Sequence, residues 1–174
     1  MNHRKSMKKI LALLGLIVII FGGCHKKSDA DYLAMANECV QKQDIPGAIA
    51  ACENLVKEFP DGALAPQALY TMGRIYQDKL DKNLPYDGAD RKAIVCYQQV
   101  VEKYPKASQA PAALFNIGFL YTNELNDLAK GKAAYEQYIK DYPNDQLVPA
   151  AKSELENLGL SPDEILNRKE AEQN

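Results

Sequence analysis

One sequence feature narrows the fold more than any other: a proline register that recurs three times. Phe59-Pro60, Tyr104-Pro105 and Tyr142-Pro143 each end an amphipathic stretch, and Pro66, Pro111 and Pro149 follow six residues later. The segments FPDGALAPQALYTMGRIY and YPKASQAPAALFNIGFLY agree in proline, alanine, glycine and tyrosine placement; YPNDQLVPAAKSELENLG keeps the two prolines. The intervals are 45 and 38 residues, the length of helical-hairpin repeats rather than of propeller blades or leucine-rich units. Proline is tolerated in the first helical turn and disrupts a helix interior, so Pro66, Pro111 and Pro149 predict helix starts.

Small residues recur in the same register. Ala36, Gly73 and Gly118 fall at one place in the first helix of each hairpin, with Ala48, Ala93 and Gly131 on the facing helices. Glycine inside a helix costs about 1 kcal/mol against alanine, so it is expected where another helix approaches closely. Large apolar residues flank these positions at helical spacing: Leu69, Met72 and Tyr76, then Leu114, Ile117 and Tyr121, answered by Tyr97 and Val100 and by Tyr135 and Tyr138. Most of these aromatics are expected in the core. The fourth copy has Glu156 where glycine stood, which suits a terminal helix with no partner beyond it. Gly159 is placed to close that helix, Ser161-Pro162-Asp163-Glu164 to box the start of one more, and the polar tail after Ile165 is expected to fray.

The N-terminus has a different grammar. Four basic residues (Arg4, Lys5, Lys8, Lys9) precede a 12-residue apolar run, Ile10 to Phe21, shorter than the roughly 20 residues a spanning helix needs. It therefore reads as a signal-peptide core, with Met1 or Met7 as the start. Phe21-Gly22-Gly23-Cys24 resembles the bacterial lipobox, which implies lipid attachment at Cys24; a plain secretory signal is the alternative. Acyl chains at about 0.8 kcal/mol per buried CH₂ would hold such a protein on a membrane surface. His25 stands where an inner-membrane retention signal would place Asp, so outer-membrane sorting is expected, on the periplasmic face.

Charge and residue inventory exclude several classes of function. The whole chain carries 21 Lys and Arg against 23 Asp and Glu. Without the first 23 residues the balance is 17 against 23, about −6, which offers nucleic acid no electrostatic attraction. The two histidines, His3 and His25, both lie before the repeats, so the folded body has none for a triad, dyad or metal cluster. Neither GxxxxGK[ST] nor GxGxxG occurs. The acids Asp78, Asp81, Asp87 and Asp90 fail the calcium-loop spacing, and LDKNLPYDGADR reads as a solvated insertion. No catalytic residue, metal, cofactor or small-molecule substrate is expected, and the chain reads as a non-enzyme. With Cys24 assigned to lipid, Cys39, Cys52 and Cys96 remain; buried free thiols and a disulfide both stay open.

Small residues on both helices, aromatics between them and a closing proline resemble the tetratricopeptide repeat. The longer interval, the FP/YP ending and the lipobox together resemble the BamD-like outer-membrane lipoproteins and the repeat domain of the Tol-Pal-associated CpoB (YbgF) proteins, over about residues 30–158. The expected fold is all-α, a tetratricopeptide-like α-α superhelix of three hairpins plus a capping helix. The chain divides into a leader (1–23), a tether (24–29), the repeat domain (30–158) and a short C-terminal helix with polar tail (159–174). A stack of hairpins offers a concave groove lined by its first helices. Counting around those helices places Leu33, Asn37, Tyr70, Arg74, Gln77, Phe115, Phe119 and Asn123 in it. Exposed aromatics beside an arginine are usual anchors of protein recognition; for Phe115 and Phe119, burial beneath the terminal helix is the alternative. The resemblance implies a scaffold for proteins or peptides of the cell envelope, in outer-membrane protein assembly, or else as a Tol-Pal or cell-division component or a self-associating envelope component.

Overall fold

In a computed structural model, which describes residues 26–172, eight α-helices follow one another and no strand occurs among the described residues. They are α1 (Asp29–Gln41), α2 (Ile45–Glu58), α3 (Ala65–Gln77), α4 (Tyr86–Lys103), α5 (Ala110–Phe119), α6 (Leu128–Asp141), α7 (Val148–Asn157) and α8 (Pro162–Glu172), with a π-helical turn at Leu120–Glu124 continuing α5. Each helix from α1 to α6 packs on its successor, giving three hairpins (α1/α2, α3/α4, α5/α6) closed by α7. The leader, the lipobox and Cys24 lie outside the described residues. No described helix is long and apolar enough to cross a membrane.

The proline register builds identical corners. Pro66, Pro111 and Pro149 sit in the first turns of α3, α5 and α7, as expected. The preceding aromatics, Phe59, Tyr104 and Tyr142, cap α2, α4 and α6 with φ near −130° and donate their N–H to Leu55, Val100 and Tyr138. Their carbonyls then accept from Gly62, Ala107 and Asp145, so the same short turn links every hairpin to the next. Position in the stack explains why the first aromatic is Phe and the others Tyr. The Tyr104 hydroxyl donates to the Pro60 carbonyl and that of Tyr142 to the Pro105 carbonyl, 3.4 Å away, each reaching one corner back. Among the described residues no earlier corner of this kind precedes Phe59.

The small residues do what their register requires. Ala36, Ala48 and Ala93 are fully buried. A Cβ added to Gly73 would overlap the edge of the Tyr97 ring, and one added to Gly118 would lie 2.7 Å from the Tyr135 ring. Around these contacts Tyr97, Tyr135, Tyr138, Leu55, Leu69 and Val100 form a continuous core, each fully buried large side chain contributing about 1.5–3 kcal/mol.

Four expectations change. The acidic insertion is not a solvated loop throughout: its second half extends α4 by a turn, and Asp90 is buried against the Lys79 ammonium, with the Glu124 carboxylate 3.9 Å from the same nitrogen. The tail after Ile165 does not fray but continues α8 to Glu172, because the Ser161–Glu164 capping box starts it and Arg168 donates to Glu156 and Asn157 of α7. The tether is shorter than expected, since Ser28 and Asp31 form a capping box on α1. Cys39 is half-buried rather than buried, lying on the outer helix of the stack, and all three thiols are free. Burial pushes the Cys52 thiol up to about 12 and Cys96 up to about 11, which keeps both protonated and unreactive.

Candidate protein-interaction surfaces

The residues expected to line a groove come together best where α3 meets α5, on the buried ring of Tyr97. Gly73 lets this ring lie flat against α3; the Tyr97 hydroxyl donates to the Gln77 side chain at 2.6 Å, and Tyr70 packs on the ring with centroids 5.4 Å apart. Tyr70 is half-buried, and its hydroxyl accepts a 3.4 Å bond from the Asn116 side chain on α5. Arg74 stands at the rim, its side chain 52% exposed and its guanidinium 3.1 Å from Asp78, whose carboxylate holds it protonated. Tyr70, Arg74 and Gln77 are thus brought together, joined by two groups the groove count did not include, Asn116 and Asp78. Nothing in the helical count marks Asn116, because its partner lies in the preceding hairpin.

Further along, Phe115 is half-buried edge-on to Tyr135 (5.4 Å) and Tyr138 (5.7 Å), and Phe119 is half-buried at the core margin. The terminal helix α7 packs on α6, and the two rings that meet Phe115 both belong to α6. Asn123 is exposed within the π-helical turn and bonds back to the Phe119 carbonyl and the Thr122 hydroxyl. At the other end Leu33 is half-buried and Asn37, one turn on, is exposed. The expected groove residues thus fall into a polar-aromatic cluster at Tyr70 and Arg74 beside Asn116, and a half-buried apolar pair at Phe115 and Phe119.

The opposite face holds two clefts that the groove count missed. One, of about 420 Å³, lies between α2, α3 and α4 over Val56, Leu69, Met72, Tyr76, Val95 and Cys96. The other, of about 360 Å³, lies between α4, α5 and α6 over Val101, Leu114, Ile117, Tyr121, Ala133 and Ala134. They are copies: each residue of the first has its counterpart 45 positions later on the first two helices and 38 later on the third. A lysine stands over the tyrosine in both, Lys92 over Tyr76 and Lys130 over Tyr121, each 5.2 Å from the ring centroid. Two differences matter. Val95 and Cys96 become two alanines, and Lys57 on the rim becomes Glu102. Among the described residues no group of His, Cys, Asp and Glu is arranged to hold a metal ion.

Residues 67–107 and 112–145 match the family model of the tetratricopeptide repeat. Those segments cover nearly all of the second and third hairpins. No curated protein matches the chain.

Proposed function

We propose that this chain, an all-α, tetratricopeptide-like superhelix, is a lipid-anchored envelope scaffold whose groove holds a segment of another envelope protein. Tetratricopeptide repeats suggest protein–protein interaction, and proteins built from them are in general non-catalytic. The observation that carries the groove reading is the cluster on α3 and α5. Tyr70 is braced by Tyr97 and Asn116 beside a half-exposed Arg74. A braced aromatic loses little conformational entropy on binding, and tyrosine and arginine are both enriched among binding hot spots. The envelope part of the reading rests on sequence: the basic residues, the apolar run and Gly22-Gly23-Cys24 in unbroken order. His25 favours the outer membrane. The resemblance to BamD-like and CpoB proteins points to outer-membrane protein assembly as the process served, with Tol-Pal-linked constriction second.

The test is crosslinking and affinity capture from envelopes with wild type and with a Tyr70→Ala, Arg74→Glu double variant. Barrel-assembly or Tol-Pal components captured by wild type and lost with the variant support the reading. The same components retained by the variant reject the groove as their site. For the anchor, Cys24→Ser releases the protein from membranes; a variant that still sediments with them rejects lipidation at Cys24.

A further inference from the structure

The first cleft, with its apolar floor and two lysines, has a complement on the same chain. Helix α8 begins with the exposed acids Asp163 and Glu164 and turns Leu166 to solvent, 56% exposed. The cleft presents Val95, 52% exposed, with Lys57 and Lys92 against one acid, Glu53. We infer that α8 of a second copy docks in the cleft between α2, α3 and α4, seating Leu166 against Val95 and Met72 with Asp163 facing Lys57 and Lys92.

Three observations choose this arrangement. A helix laid in an apolar groove with flanking opposite charges is a common recognition mode, and α8 is built for it: an acidic first turn followed at once by an apolar residue. Its own chain cannot supply the contact, because Arg168 ties α8 to Glu156 and Asn157 at the far end of the stack. The second cleft does not compete. With Glu102 in place of Lys57 and Gln98 in place of Glu53 its rim charges are one acid and one lysine, and Ala133 and Ala134 leave a smaller apolar wall. The contact joins two different patches and is therefore heterologous, so copies add head to tail. It uses the back of the stack and leaves the Tyr70–Arg74 groove open, so it does not depend on the groove reading.

Light scattering of the purified protein over a concentration series tests this. Wild type is expected to pass from monomer to dimer and larger species as concentration rises, and salt is expected to shift the transition upward. Val95→Glu and Leu166→Glu, both at exposed positions, should each move the transition at least tenfold higher in concentration. An equimolar mixture of the two variants should form dimers and nothing larger, since each supplies one intact half of the contact. Lys57→Glu should weaken association, and adding Asp163→Lys should recover part of it. A wild type that stays monomeric throughout overturns the inference. So does association that either glutamate variant leaves unchanged, or a mixture that stays monomeric. Association abolished by Tyr70→Ala instead would place the contact in the groove and overturn it as well.

Discussion

The second and third hairpins are written in the same register, yet they solve the same three problems differently. In both, a glycine on the first helix admits a tyrosine ring from the second. In hairpin two the Tyr97 hydroxyl finds Gln77; in hairpin three Thr122 occupies the corresponding place, spends its own hydroxyl on the Gly118 and Phe119 carbonyls, and leaves the Tyr135 hydroxyl buried without a well-formed hydrogen bond. The turns also differ. A non-glycine residue with φ of 50–60° reverses the chain in every hairpin, at Gln43, Lys79 and Asn126. Hairpin three then starts its second helix with an Asp127 cap, whereas hairpin two adds a turn to α4 and ties Lys79 to buried Asp90. The back clefts differ at two charged rim positions, Glu53 and Lys57 against Gln98 and Glu102, and at the wall residues Val95 and Cys96. The repeat thus specifies the packing of the backbone, while the polar pairings are settled hairpin by hairpin.

The largest effect that probes this comparison comes from the glycines. Gly73→Leu and Gly118→Leu should each cost about 3 kcal/mol by overpacking, with Gly73 the more sensitive because the Tyr97 ring lies closer. Urea unfolding measures both, and an unchanged midpoint for either would break the shared register.

Next in size is the Lys79–Asp90 pair. Asp90→Ala leaves a mostly buried ammonium without its main partner and should cost about 2–3 kcal/mol, less than for a fully enclosed pair because Lys79 keeps 19% exposure and Glu124 nearby. The double replacement Lys79→Asn, Asp90→Leu copies the residues of hairpin three at those places and should recover most of the loss. A double variant as unstable as the single one would mean that the longer α4 needs the charge pair.

The tyrosines separate the hairpins at smaller scale. Tyr97→Phe should cost about 1 kcal/mol, and Tyr135→Phe should be neutral or slightly stabilising, since it removes a buried hydroxyl that lacks a good partner. Equal losses at the two sites would erase the distinction. Tyr104→Phe, which gives up the bond to the Pro60 carbonyl and copies Phe59, should cost about 0.5 kcal/mol in the same assay.

How much of this was legible in the sequence follows from the range of each interaction. The helix starts at Pro66, Pro111 and Pro149 and the close approach at Gly73 and Gly118 depend on local backbone chemistry repeated three times, and they read directly. The capping box at Ser161 and Glu164 is equally local, yet the length of α8 was not legible, because Arg168 holds it from a different helix. The fate of the acidic insertion also depended on distance: four carboxylates in a row look solvated until Lys79, eleven residues before Asp90, is folded back beside it. Of the expected groove residues, Tyr70, Arg74 and Gln77 follow from helical spacing on one helix. Asn116 and the two back clefts exist only once successive hairpins are stacked, and no spacing within one hairpin announces them.

The central claim is that the face carrying Tyr70, Arg74 and Phe119 is where another protein binds. A photo-crosslinking amino acid placed at Arg74 or Phe119 in living cells, with Lys140 on the exposed face of α6 as the comparison, tests it most directly. Adducts with a protein other than this chain are expected from Arg74 and Phe119 and none from Lys140; adducts absent from both positions, or equally strong from Lys140, would overturn the proposed binding face.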